Sequence, residues 1–229
     1  MLFTKIRLQA LFSKLSKRIS THELIISAVW VFLIFIVNPL GEFYVNDDWS
    51  YTINAKAMAL DNAIVFHDWG AMTLFAHTVW GALFCKIFGF SFTVLRISTL
   101  VLGLVCLLAF YRLCLTAGFT KIWALAGTAL LAFNPFFFQN AYSYMTEVPF
   151  LTFLILSSIH SLRLIENTKT KNIIWASVFA IIAILIRQTA LLVPLSLALV
   201  SIVKPDNWKA KLLNTIPLCL SLLTTSPNP

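Results

Sequence analysis

The sequence predicts an all-α, polytopic membrane protein, and three observations carry that reading. Of its 229 residues, 59% are hydrophobic and only 11% are charged, where a soluble domain carries about a quarter charged residues. Mean hydropathy is +0.87. The apolar residues fall into eight separate runs, Leu24–Val37, Ala71–Phe90, Val94–Tyr111, Ile122–Phe138, Val148–Leu164, Ile173–Ile186, Ala190–Val203 and Leu212–Leu223. At roughly 20 residues per helical crossing, a single anchor beside a soluble catalytic domain is excluded. The formal net charge of +8 would point to nucleic acid in a soluble chain. Here the basic residues sit in short segments between apolar runs, as the positive-inside rule requires, so membrane lipid is expected and nucleic acid is not.

The N-terminal segment, residues 1–23, contains Lys5, Arg7, Lys14, Lys17 and Arg18 and no acid before Glu23. It reads as a basic cytoplasmic tail ahead of an uncleaved signal anchor, because Asn38-Pro39-Leu40-Gly41-Glu42 offers no small-x-small cleavage pattern. The run Ala71–Phe90 decides the topology. If it crosses, Arg112 and Lys121, then Lys169 and Lys171, then Lys204, Lys209 and Lys211 all lie outside. If it does not cross, all three sets join the basic N-terminus inside, so charge favours the second arrangement. Gly70, Thr73, His77, Gly81 and Cys85 recur at helical spacing as a small, polar stripe, which suits an interfacial helix. A short buried span is the alternative.

About seven crossings are therefore expected: Leu24–Leu40, Val94–Leu113, Ile122–Phe138, Val148–Leu164, Ile173–Ile186, Ala190–Val203 and Leu212–Leu223. Pro194 and Pro217 interrupt the last two. Residues 24–223 form one transmembrane domain, residues 41–93 an extracytoplasmic loop with one or two membrane-parallel helices, and residues 224–229 a truncated tail. Cys85, Cys106, Cys114 and Cys219 show no metal or redox spacing and read as packing residues. No internal repeat supports an inverted-repeat transporter.

Six of the nine acids gather outside in this topology: Glu42, Asp47, Asp48, Asp61, Asp68 and Glu147. Glu23, Glu166 and Asp206 stand beside basic residues and read as solvated charges. Tyr44-Val45-Asn46-Asp47-Asp48-Trp49-Ser50-Tyr51 leads into a helix-like segment, Thr52–Leu60. A cap needs only one aspartate, and a carboxylate pair at a helix start near the bilayer surface can serve as general base or metal ligand. A simple cap in an interfacial loop remains the other reading. Arg96 and Arg187 stand on the outer side against the charge bias and face either an anionic head group or a neighbouring carboxylate. Gln188 and Thr189 extend the polar patch at Arg187. His67, in His67-Asp68-Trp69-Gly70, is a weak candidate for a metal or acceptor contact.

Asp47-Asp48 after the first span, Phe88-Gly89-Phe90 followed by Arg96-Ile97-Ser98, Asn134-Pro135 leading to Thr146-Glu147-Val148-Pro149, and Ile186-Arg187-Gln188-Thr189-Ala190 occur in this order. With them the chain resembles the GT-C glycosyltransferases, in particular the dolichyl-phosphate-mannose protein mannosyltransferase and aminoarabinose transferase-like group of bacterial membrane proteins. The likeness covers about residues 20 to 205 and implies the N-terminal half of such an enzyme. It implies a polyprenyl-phosphate-linked sugar as donor, a glycan, lipid or protein as acceptor, and transfer on the extracytoplasmic face of a bacterial inner membrane. Asp47 then matches the catalytic acid, Asp48 its partner, Glu147 the second acid, and Arg96 and Arg187 basic positions near the donor phosphate. Tyr51, His67 and Gln188 are candidate substrate contacts. A divalent metal on Asp47, Asp48 or Glu147 is an open alternative for balancing the leaving group. Two other classes compete: a non-catalytic or degenerate membrane fragment, and a transporter subunit, which would need ionisable residues at mid-membrane.

Overall fold

A computed structural model describes residues 20–70, 72–166 and 169–196, and among them every regular element is helical. The first helix, α1 (Thr21–Val37), begins with a capping box in which Ser20 and Glu23 exchange side-chain-to-backbone hydrogen bonds. Two orphan N–H groups are thereby satisfied and the start of the helix is fixed. Glu23 is not the solvated charge its basic neighbours suggest: it is buried, and its carboxylate accepts from Ser20 N at 2.7 Å and from Arg112 Nε at 2.6 Å. Trp30 on α1 donates its indole N–H to the Leu100 carbonyl at 3.1 Å. The close approach depends on Gly103, where an added Cβ would stand 2.8 Å from the Trp30 ring.

The longest element is α4 (Phe92–Thr116), whose start is capped by Ser91. Two shorter helices precede it in the expected outer loop, α2 (Asp48–Lys56), which continues into a π-helical turn at Ala57–Asp61, and α3 (Phe75–Phe88). They occupy the region expected to hold one or two loop helices, and α2 starts four residues before the expected Thr52. The small, polar stripe of α3 does not face water. His77, Gly81 and Cys85 are buried, and Gly81 sits against the Tyr144 hydroxyl with no room for a Cβ. The outer face of α3 is apolar instead, with Leu83, Ile87 and Phe88 exposed.

The expected crossing Ile122–Phe138 is broken. Helix α5 (Lys121–Ala132) and helix α6 (Pro135–Ala141) meet at 65°. Pro135 cannot continue the ladder of α5, and Asn134 caps the new helix by accepting from the N–H groups of Phe136 and Phe137. Helix α7 (Glu147–Glu166) then packs between α4 and α8 (Thr170–Ile184). Its seams are made by small and hydroxylated residues: Thr152 donates to the Leu102 carbonyl of α4 at 3.1 Å, and Ser157 to the Ala176 carbonyl of α8 at 2.9 Å. This is how apolar helices associate where lipid offers no hydrophobic drive.

Helices α4 and α7 are long and apolar enough to cross a membrane, with a third crossing if α5 and α6 count as one bent span. Helices α1, α3 and α8 are apolar but shorter. Five of the seven expected crossings fall wholly on described residues, and two or three of these have the length and apolarity of a full span. The expected crossing Leu212–Leu223 and the second half of Ala190–Val203 lie outside the described residues, as do Cys219 and the tail at 224–229. Cys85 and Cys106 are buried free thiols, as packing residues should be.

Candidate functional site

The polar cluster lies where α2, α3, the start of α7 and the end of α8 meet. Thr73 donates to the Ile184 carbonyl at 2.7 Å, Leu74 N to Ile186 O at 3.3 Å and Ala76 N to Leu185 O at 3.1 Å. The orphan donors at the start of α3 thereby satisfy the orphan acceptors at the end of α8, which holds Arg187 beside Met72. Arg187 donates from Nη2 to Glu147 Oε1 at 2.8 Å and directs Nε at the Met72 sulfur at 3.0 Å. Glu147 Oε2 is buried and has no hydrogen-bond partner among the described residues.

The adjacent aspartates have separate environments. Asp48 is 1% exposed; its Oδ1 accepts from Val45 N at 2.7 Å and its Oδ2 from Tyr144 N at 3.3 Å. Burial holds its pKa above the ordinary carboxylate value, against those two N–H groups and the charge of Arg96. Asp47 is exposed, stands at the N-cap of α2 and makes no side-chain cap bond. One turn on, Tyr51 is buried, and the charges of Glu147, Arg187 and Asp47 all act on its hydroxyl. Burial first, then Glu147, pushes its pKa up, so the phenol stays protonated and available as a donor.

Arg96 stands apart from this cluster. It is 2% exposed, and its guanidinium donates to the Pro39 carbonyl at 3.1 Å, to the Gly41 carbonyl at 3.0 Å and to the Phe43 carbonyl. It also stacks on the Phe43 ring at 4.1 Å. These contacts hold the chain as it leaves α1. Gln188 is exposed at the start of a short 3-10 turn, Gln188–Leu191. His67 lies between Trp49, whose ring centroid is 5.0 Å away, and the Trp69 N–H, which donates to His67 Nδ1 at 3.2 Å. Both oxygens of Asp48 are occupied by N–H groups and Glu147 is paired with Arg187. Among the described residues no three His, Cys, Asp or Glu side chains gather to hold an ion.

Tyr144, absent from the sequence-derived candidates, joins the elements of the site. Its N–H binds Asp48, its hydroxyl donates to the His77 carbonyl at 2.9 Å, and its ring stacks on that of His77 at 4.1 Å. His77 Nε2 lies 3.4 Å from the Tyr144 carbonyl, and its Nδ1 has no partner among the described residues. Burial takes the His77 pKa down to about 4 from the ordinary 6.5, opposed by the Tyr144 carbonyl and reinforced by Arg187. The folded state therefore prefers the neutral ring. His77 contributes its full stability above pH 6.5, and that contribution falls away as pH drops toward 4. The expected loss is about 3 kcal/mol, read as a fall in the thermal midpoint over that window. In His77→Gln the fall over that window should be smaller than in the parent, whatever its starting midpoint.

Fold and site together define a helical membrane protein with its polar cluster at one end of the bundle. A family model described as dolichyl-phosphate-mannose-protein mannosyltransferase matches residues 75–228. The chain belongs to that family, an integral membrane family of GT-C-type glycosyltransferases. The match takes in Arg96, Glu147 and Arg187 and begins after Asp47 and Asp48. Among curated proteins and among solved structures nothing matches the chain.

Proposed function

We propose that the chain transfers a sugar from a polyprenyl-phosphate-linked donor to an acceptor hydroxyl on the extracytoplasmic face of a bacterial inner membrane, with its N-terminus in the cytoplasm. Family membership supports the donor class and the transfer. The observation that carries the site is the Arg187–Glu147 pair, 2.8 Å apart, held where the start of α3 is hydrogen-bonded to the end of α8. Residues 41–93 then form the extracytoplasmic part of a transmembrane domain spanning 24–223, and the apolar outer face of α3 rests against lipid.

In this mechanism the exposed Asp47 carboxylate takes the proton of the acceptor hydroxyl as its oxygen attacks the anomeric carbon. The bond to the phosphate oxygen breaks, and polyprenyl phosphate leaves with the electron pair. Arg187 faces the developing charge, because Nη2 is held by Glu147 and Nε by Met72, which aims the fork without neutralising it fully. The unpartnered Glu147 Oε2 accepts from a sugar hydroxyl, and Tyr51 donates to a sugar or phosphate oxygen. Gln188 and the Trp49–His67–Trp69 cluster line the approach of the acceptor. Asp48 and Arg96 serve as scaffold, the first tying α2 to Tyr144 and the second tying the loop after α1 to α4.

The test is release of polyprenyl phosphate from a polyprenyl-phosphate sugar by the purified chain. Arg187→Gln removes a charge-assisted contact worth about 1.5–3 kcal/mol, so kcat/KM for the donor should fall by about 10- to 100-fold. The parent's thermal midpoint should be nearly kept, since the Arg187–Glu147 pair is partly solvated. Unchanged donor kinetics in Arg187→Gln would remove it from the anion site.

A further inference from the structure

At the opposite end of the bundle, two adjoining cavities of about 390 and 250 Å³ share Arg112 and Arg163 in their walls. Arg163 lies sixteen residues beyond Glu147 on α7, about 24 Å along the axis at the ordinary rise, so this place is separate from the transfer site. The larger cavity is also lined by Ser20, Glu23, Tyr111 and Thr116. The Glu23 carboxylate is already engaged by Ser20 N and Arg112 Nε, which sets two guanidinium groups against one carboxylate among the described residues lining this cavity. Tyr111 is 1% exposed, and its hydroxyl has no partner among the described residues. A buried donor without an acceptor is costly unless a ligand supplies one. The smaller cavity continues between α4 and α7 as an apolar slot lined by Val105, Leu108, Leu156 and Ile159, with His160 beside Arg163.

We propose that this double cleft binds an anionic phospholipid, its phosphate between Arg112, Arg163 and the Tyr111 hydroxyl and the start of one acyl chain in the apolar slot. The two halves match the two halves of such a lipid: cations and a lone donor for phosphate oxygens, aliphatic side chains for the hydrocarbon. Basic pockets between helices at a membrane surface are suited to such head groups. A soluble phosphate would satisfy the cations and leave the slot unfilled. A zwitterionic lipid would fill the slot and bring its own cation against the arginines.

The experiment measures lipid binding to the delipidated, purified full chain by native mass spectrometry, with phosphatidylglycerol, phosphatidylcholine and inorganic phosphate as probes. The parent should bind phosphatidylglycerol about tenfold more tightly than phosphatidylcholine. Arg163→Gln should lose about five- to tenfold of that affinity and Arg163→Lys much less, since one basic group near anionic lipid is worth about that factor. Tyr111→Phe removes a hydroxyl that nothing in the protein engages, so the fold should be kept while phosphatidylglycerol affinity falls about fivefold. Arg112 is left in place because it holds Glu23. Equal affinity for the two lipids, undiminished preference in both Arg163→Gln and Tyr111→Phe, or displacement of phosphatidylglycerol by equimolar inorganic phosphate would each overturn the proposal.

Discussion

Asp47→Asn should fold as the parent does and release polyprenyl phosphate roughly 10²–10⁴ times more slowly, the range expected for a lost general base. The asparagine keeps the size of the side chain and removes its charge and basicity. Folding should be untouched, because the Asp47 carboxylate is exposed and makes no cap bond. Asp48→Asn separates the two aspartates. An amide cannot accept at both ends, so either Val45 N–H or Tyr144 N–H loses its partner, and this variant should lose thermal stability. Near-parent turnover in Asp47→Asn would remove the residue from the mechanism. An equal loss of stability in both variants would place both aspartates in the scaffold.

The largest expected effect on the fold comes from Arg96→Leu. The substitution removes the donors held by the Pro39, Gly41 and Phe43 carbonyls together with the stacking on Phe43. Hydrogen bonds to a charged group contribute about 1.5–3 kcal/mol each, so the variant should lose several kcal/mol and give little folded protein. Arg96→Lys should rescue only part of this, since an ammonium cannot reproduce a planar fork that reaches several carbonyls. The measurement is the yield and thermal midpoint of detergent-purified protein. A well-folded Arg96→Leu chain with weakened donor binding would instead return Arg96 to the phosphate site.

What the residues alone reveal and what they hide divides along the range of the interactions. The helical class, the membrane setting and the two loop helices follow from composition and local pattern, which act within a turn or two. Asn134-Pro135 signals a new helix start, yet the apolar run on either side masks the 65° break, because hydropathy is blind to direction. Asp47 and Asp48 are equivalent in sequence and become different only through Tyr144 N–H, 96 positions away. Arg96 and Arg187 look alike as charges near an outer boundary. One is enclosed by carbonyls of a loop that carries no sequence signal for it, and the other meets Glu147. The stripe on α3 was legible as a stripe, but periodicity cannot say whether small and polar residues face water or, as here, Tyr144. Glu23 read as solvated because its partner Arg112 lies 89 positions away.

The proposed function has the group of Asp47, Tyr51, Glu147 and Arg187 receive a lipid-linked phosphate. It is tested most directly by photolabelling membranes that contain the full chain with a photoreactive polyprenyl phosphate, followed by peptide mapping of the label. The predicted label falls on the segments around Asp47–Tyr51, Met72, Glu147 and Arg187, is competed by unlabelled polyprenyl-phosphate sugar, drops in Arg187→Gln and persists in Arg163→Gln. Label confined to other segments, or unchanged at this site in Arg187→Gln, would contradict the account.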